Sequence, residues 1–328
     1  MKPQIAATDW QPTIAAIRSA RLIALITHRN PDGDGIGSQL GLYHALKQLG
    51  KKVIMHNRDG VPRIYGFLEG AAEIGRGNWD ETAEQPDVII SLDCGSRSRL
   101  GMPEAFFSGA TLINIDHHAS NSRFGDINVI DAAYCATGAM ISDLLIALGI
   151  TMNAAMARPI YAAILTDTAS FRLNSADAGV YRLAADLVEA GAEPWPICME
   201  VYESRSLAGL RLLSECLATL TLRDDGRSAW IYVTHDMYGR TGADVEDTEG
   251  LIDYARGMQG VEVAVFIRND DGADCWKLSF RGKTTADVGS LAAGLGGGGH
   301  RHASGCMLRG TLSEIEARVQ KAVSDLFA

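Results

Sequence analysis

Hydrophobic and polar positions along the chain follow two alternating patterns. Apolar runs of four to six residues occur at 22–27, 53–56, 88–92 and 112–115, each ending in polar or turn-forming residues. Elsewhere apolar positions recur every three or four residues, as at Ile36, Leu40, Tyr43 and Leu46. The first pattern predicts buried strands and the second predicts helices with one apolar face. Helices are predicted over 35–49, stopped by Gly50, and then over 138–148, 154–165 and 176–189. Strands alternating with helices predict an α/β domain built on a doubly wound, mainly parallel sheet. Pro194 and Pro196 break the pattern, and the amphipathic stretch 197–220 predicts a connecting helix. A second, smaller α/β unit follows, with strands near 229–234, 261–267 and 276–280 and a helix near 251–258. A closing helix over 313–326 is capped by Thr311 or Ser313. The expected division is a first domain over 1–195, a connecting helix over 196–220 and a second domain over 221–328.

Composition narrows the class. A chain of 328 residues is too long for one ordinary core, which agrees with two domains. Hydrophobic residues at 47% and charged residues at 21% are the balance of a water-soluble folded protein. No apolar run approaches the roughly 20 residues that cross a bilayer. The first dozen residues, with Asp9 and two prolines, lack the pattern of a secretion signal. The six cysteines, at 94, 135, 198, 216, 275 and 306, form no CxxC pair and read as free thiols in a reducing cytoplasm. A net charge of −10 argues against an extended basic channel for long nucleic acid. It leaves room for a short anionic substrate held by metal ions and a few local cations.

Four clusters carry candidate chemistry. His28, Asp32 and Asp34 lie within seven residues just after the first strand, among glycines that let the backbone turn sharply. A calcium loop counted from Asp32 would need Glu at its twelfth position, where Tyr43 stands. A dinucleotide fingerprint fails too, because Gly33, Gly35 and Gly37 have the wrong spacing and the two aspartates would repel a pyrophosphate. Asp93 ends the strand at 88–92, and Asp116-His117-His118 ends the strand at 112–115. Asp167 follows an apolar helix. Singly, each is an ordinary turn or cap. Three of the four end predicted parallel strands, where open α/β sheets bind ligands, and that convergence favours a metal site. Carboxylates and imidazoles without cysteine suit Mn²⁺ or Mg²⁺. Several carboxylates offset the repulsion of two ions roughly 3.5–4 Å apart, a pair that activates water for attack on phosphorus.

In this order and spacing the clusters resemble the DHH phosphoesterase superfamily, whose motif stands at Asp116, His117 and His118. The run Gly296-Gly297-Gly298-Gly299-His300-Arg301-His302-Ala303-Ser304-Gly305 resembles the signature of its DHHA1 partner domain. With Asp247-Thr248-Glu249-Gly250-Leu251 and Ser279-Phe280-Arg281, the resemblance points to the NrnA-like branch of oligoribonucleases and 3′-phosphoadenosine 5′-phosphate phosphatases. It implies a DHH domain and a DHHA1 domain with a cleft between them, and two Mn²⁺ ions replaceable by Mg²⁺ or Co²⁺. His28, Asp32 and Asp93 match the ligands of one ion, and Asp34, Asp93, His117 and Asp167 those of the other. His118 would face the scissile phosphate, with Asp116 orienting the histidines. Ser279, Arg281, Gly297, Gly298, Gly299, His300 and Ser304 would contact substrate. Ala139 stands where Glu often follows Thr-Gly, and Ala169 where Gly commonly follows Asp-Thr; neither position is an expected ligand.

The resemblance implies an enzyme that releases 5′-mononucleotides from short RNA, converts 3′-phosphoadenosine 5′-phosphate to AMP, or does both, with a homodimer as its family assembly. The nearest alternative is a phosphodiesterase for linear or cyclic dinucleotides. A RecJ-type exonuclease is disfavoured by the acidic balance, family II pyrophosphatase by the glycine–histidine run, and a silent nucleotide sensor by the complete ligand set.

Overall fold

The computed structural model describes residues 10–80 and 84–327, so the N-terminal reading that involved Asp9 lies outside the described residues. The chain divides into two compact units, Met1–Ser204 and Arg205–Ala328.

The first unit contains strands β1 (Leu22–Thr27), β2 (Lys52–Asn57), β3 (Gly75–Arg76), β4 (Val88–Leu92), β5 (Thr111–Asp116) and β6 (Ile127–Ile130). They form one sheet in the order β3-β2-β1-β4-β5-β6. Every pairing is parallel. The central strands are mostly apolar because both faces are covered; β1 and β4 are buried at every position. Strand order reverses between β1 and β4, which makes the carboxyl ends of these two strands the topological switch point.

The helices of this unit are α1 (Gln11–Ser19), α2 (Gly33–Gln48), α3 (Glu104–Phe107), α4 (Thr137–Ala147), α5 (Ala154–Asp167), α6 (Ala178–Glu189) and α7 (Pro194–Tyr202). Helix α2 starts at Asp32, whose Oδ1 accepts from the N–H groups of Asp34 and Gly35, both at 3.1 Å. The glycines that hinted at a dinucleotide fingerprint have a packing role. A Cβ at Gly33 would lie 2.4 Å from Thr166 Oγ1, at Gly37 2.3 Å from Pro159 O, and at Gly41 2.6 Å from Ile160 Cγ1. This i, i+4 stripe lets α2 lie against α5, bringing the start of one helix beside the end of the other. That approach carries Asp34 towards Asp167.

The expected single helix over 197–220 is two helices, α7 and α8 (Leu207–Ala218). Ser206 ends the continuity, since its Oγ accepts from Gly209 N at 2.8 Å and caps a new helix. Both pieces are amphipathic, so periodicity alone runs across the break. The division between units falls inside the stretch expected to connect them, at Ser204 and Arg205.

The second unit adds β7 (Thr221–Arg223), β8 (Ser228–Val233), α9 (His235–Thr241), α10 (Leu251–Arg256), β9 (Val263–Arg268), β10 (Cys275–Gly282), α11 (Val288–Gly294), β11 (Gly298–His300), β12 (Ala303–Arg309) and α12 (Leu312–Ser324). The sheet order is β11-β12-β10-β9-β8-β7. Only β8 and β9 pair in parallel; the other pairings are antiparallel. Strand β10 alternates between half-buried and buried positions, which places Ser279 and Arg281 on one face and Leu278 and Phe280 on the core side. Thr311 caps α12 through a reciprocal box with Glu314. All six cysteines are free thiols. Among the described residues no helix is long and apolar enough to cross a membrane.

Candidate metal centre

The strand ends deliver most of the expected ligands. His28 follows β1, Asp93 follows β4, and Asp116 closes β5 with His117 and His118 directly after it. These three strands are neighbours, so their carboxyl ends converge at the switch point. Asp93 adopts φ +54°, a left-handed conformation that Asp tolerates better than most side chains.

Two groups of ligand atoms meet around Asp93. His28 Nε2 lies 3.8 Å from Asp32 Oδ1 and 3.5 Å from Asp93 Oδ2. His117 Nε2 lies 3.6 Å from Asp34 Oδ2, 3.7 Å from Asp93 Oδ1 and 3.5 Å from Asp167 Oδ2. Asp93 therefore turns one oxygen to each group. Ligand atoms about 2.1 Å from a shared ion stand roughly 3–4 Å from one another, and both groups match that spacing.

Hydrogen bonds fix which imidazole nitrogen faces the acids. His28 Nδ1 donates to Arg29 O at 2.8 Å, and His117 Nδ1 donates to Tyr134 O at 3.2 Å. Each Nε2 then faces the carboxylates at 3.5 Å or more, beyond hydrogen-bond distance and at the spacing of atoms that share a cation. Asp34 is held hard in place. Its Oδ2 accepts from Thr137 N at 2.6 Å, and its Oδ1 accepts from Gly138 N at 2.8 Å and Ser38 Oγ at 3.1 Å. The first two donors belong to the amino end of α4, which favours an anion. Thr137 Oγ1 donates to Asp93 Oδ1 at 3.2 Å and ties the two acids to one turn.

The electrostatics point to cations. Burial, then the charges of Asp34, Asp32, Asp116 and Asp167, push the Asp93 carboxyl well above the ordinary range. Burial also raises Asp34, with His117 pulling it down and Asp32 pushing it up. Burial would lower His117, yet the carboxylates of Asp167 and Asp34 outweigh it and raise the imidazole. Bound divalent ions would relieve all three at once. The donor set of carboxylates and imidazoles fits hard or borderline ions such as Mn²⁺ and Mg²⁺.

Asp116 and His118 form a third group with Asp93, His118 Nδ1 lying 3.6 Å from Asp93 Oδ1. His118 Nδ1 donates to Asp116 Oδ1 at 2.7 Å, while Asn121 Nδ2 donates to Asp116 Oδ2 at 2.6 Å. Both Asp116 oxygens are thus engaged. Burial would raise this carboxyl, but the bond and charge of His118, joined by Asn121, hold it below the ordinary range. The arrangement fixes the orientation of the His118 ring.

In the second unit, Ser279 pairs with Gly305 and Arg281 with Ala303 across β10 and β12. Gly298, Gly299 and His300 pair with Gly305, Ser304 and Ala303 along β11. A Cβ at Gly297 would lie 2.1 Å from Gly305 O, and Gly299 takes φ +138°, so this edge is bare backbone by necessity. Ser304 is buried and donates to Val288 O at 2.5 Å, which commits its hydroxyl to the fold.

Several supporting residues escaped sequence reasoning. Ser38, Thr137, Gly138, Tyr134 and Asn121 act through backbone groups or lie outside the DHH triplet. Only the Thr137-Gly138 dipeptide carried a signal, as the frame in which Ala139 departs from the family pattern. The other departure has a structural cost: Ala169 takes φ +48°, where Gly is at ease.

Comparisons with known proteins agree with the motifs and the fold. The model of the DHH family, N-terminal domain, matches residues 22–166, and that of the DHHA1 domain matches 229–328. The chain is 35% identical over 308 residues to the bifunctional oligoribonuclease and PAP phosphatase NrnA of Thermus thermophilus, covering 92% of this chain and 89% of the relative. It is 26% identical over 290 residues to the protein of the same name from Bacillus subtilis, covering 87% and 89%. The crystal structure of an exopolyphosphatase-related protein from Bacteroides fragilis covers all of both chains at 27% identity and a TM-score of 0.88. With motifs, fold and relatives in agreement, the chain belongs to the DHH/DHHA1 phosphoesterase superfamily, in its NrnA-like branch.

Proposed function

We propose that this protein is a two-metal, Mn²⁺-dependent phosphoesterase. It hydrolyses short oligoribonucleotides to 5′-mononucleotides and 3′-phosphoadenosine 5′-phosphate to AMP. The observation that carries this reading is Asp93, whose Oδ2 faces His28 and whose Oδ1 faces His117, at 3.5 Å and 3.7 Å. One carboxylate placed between two imidazole–carboxylate groups is what a pair of adjacent divalent ions requires.

His28, Asp32 and Asp93 would hold one ion, and Asp34, Asp93, His117 and Asp167 the other. When bound, such ions supply a water nucleophile at neutral pH and offset charge growing on phosphorus. The chain's own residues then have separable tasks. Arg29 O and Tyr134 O hold the ligand tautomers of His28 and His117. The amino end of α4 fixes Asp34. Asp116 and Asn121 orient His118, whose Nε2 donates to the phosphate or the leaving oxygen. Ser279, Arg281, His300 and the backbone of Gly297, Gly298 and Gly299 bind the part of the substrate that does not react. Ser304 is left out of that set because its proton serves Val288 O.

The names of the relatives support the choice of substrates, and the absence of cysteine from the ligand set supports the choice of metal. The test is a Mn²⁺ assay on di- to pentaribonucleotides, 3′-phosphoadenosine 5′-phosphate, linear dinucleotides and cyclic di-AMP at matched concentration. Turnover of the first two classes is expected. Cyclic di-AMP as the sole substrate would overturn the assignment, and turnover insensitive to chelation would overturn the metal site.

A further inference from the structure

The carboxyl edge of the first sheet carries a feature that the metal centre does not use. Four neighbouring strands, in the lateral order β3-β2-β1-β4, each have an arginine at or beyond their carboxyl end. Arg76 closes β3, Arg58 follows β2, Arg29 lies just past β1, and Arg99 stands in the loop after β4. At about 4.8 Å between strands, the row spans roughly 14 Å.

Contacts show that the row is assembled rather than scattered. Arg29 N donates to Arg99 O at 2.7 Å, which staples the loops after β1 and β4. A Cβ at Gly101 would lie 2.7 Å from Arg29 Cδ and 3.1 Å from Arg58 Cγ, so both stems converge over that glycine. Gly101 takes φ +67°, and a Cβ at Gly60, which takes φ +76°, would lie 3.0 Å from Arg76 Cδ. The Arg99 guanidinium reaches within 3.4 Å of the His28 ring, placing that end of the row at the metal site.

Counter-charge is sparse. Among the described residues only Arg29 has a carboxylate, Asp59 at 3.7 Å, while Arg58 bonds the neutral Asn78. Surface arginines on an acidic chain ordinarily find acids, and the net charge of −10 makes acids plentiful. A row of guanidinium groups without matching carboxylates beside a phosphoryl-transfer centre has the chemistry of a phosphodiester track.

We propose that Arg99, Arg29, Arg58 and Arg76 form a binding track for the phosphates of a short RNA beyond the scissile one. It gives the enzyme a preference for chains longer than a dinucleotide. The inference rests on the proposed oligoribonuclease activity and adds to it where the remainder of the chain lies. Arg58 and Arg76 are the informative positions, because neither touches a metal ligand.

The experiment compares wild type with R58Q/R76Q and R58K/R76K by two readouts. The first is the ratio of kcat/KM for a pentaadenylate to that for a diadenylate with Mn²⁺. The second is binding of fluorescein-labelled pentaadenylate, followed by anisotropy in chelator without divalent ion. The glutamine pair should lower the ratio about tenfold and weaken binding similarly, with a salt slope shallower by about 0.7 per lost phosphate contact. The lysine pair should restore most of both. Equal ratio and equal binding in the glutamine pair would overturn the track. If wild type binds through these arginines but hydrolyses no RNA, the proposed activity fails while the track stands.

Discussion

The metal centre of the first unit and the glycine–histidine edge of the second are built by opposite means. The first is made of side chains that are mostly buried, Asp32 being exposed and Asp167 half-buried, and several are held by fixed partners: Asp34 by α4, His117 by Tyr134 O, and Asp116 by His118 and Asn121. The second is made largely of backbone, kept bare because side chains at Gly297 or Gly299 would strike β12. Charge repulsion is concentrated at the first, where the proposed chemistry would depend on placement within fractions of an ångström. The second offers donors without shape of its own, which suits holding nucleotides of any base. On the proposed function, one region is specified for chemistry and the other for tolerance.

The strongest way to break this contrast is to neutralise Asp93. Asp93→Asn should lower kcat on any substrate by on the order of 10³-fold or more, since both ions lose a shared ligand. It should also change stability in an unusual direction. A carboxyl raised in the folded state contributes stability below its unfolded pKa and loses it as pH rises through the folded value. Without metal, ionising Asp93 is therefore a cost, and the Asn variant should melt at the same temperature as wild type or higher. The rise in Tm that Mn²⁺ gives wild type should shrink sharply in the variant. A metal-free variant much less stable than wild type would show that Asp93 serves the fold.

Next in size is Asn121→Ala, which frees one Asp116 oxygen and loosens His118 without removing a metal ligand. About 10- to 100-fold loss of kcat is expected, with Mn²⁺ affinity retained by calorimetry. Equal loss of metal affinity would place His118 among the ligands. In the second unit, Arg281→Gln should raise KM by about 10- to 100-fold with kcat changed little, the cost of one charge-assisted bond. A fall in kcat alone would erase the division of labour between the two regions. The smallest effect is Ala169→Gly, which relieves a left-handed alanine at φ +48°. It should raise stability by up to about 1 kcal/mol in urea melts, partly offset by the greater freedom of glycine in the unfolded chain. A destabilised variant would mean that the Ala169 methyl packs usefully.

Periodicity revealed the elements that bury a face. β1 and β4 have the predicted bounds because six and five consecutive apolar or small residues leave no other reading. Strand β6 and the short β3 and β7 went unnoticed, since an edge strand of two to four residues carries too little pattern. The break between α7 and α8 was hidden by continuous amphipathicity, although Ser206 is a cap in plain sight. At the site, ligand identity was legible because Asp and His at strand ends are few and costly. Their supports were not, because Tyr134 O, Thr137 N and Gly138 N are backbone atoms that any residue possesses. Glycines were the most ambiguous letters: Gly33 and Gly37 serve helix packing, while Gly297 and Gly299 serve an open edge.

The central claim is a pair of ions sharing Asp93, and Mn²⁺ stoichiometry with electron paramagnetic resonance tests it most directly. Two Mn²⁺ per chain are expected, with an exchange-coupled spectrum from ions roughly 3.5–4 Å apart, and loss of the coupling in Asp93→Asn. A single ion per chain, or two giving only independent six-line signals in wild type, would contradict it.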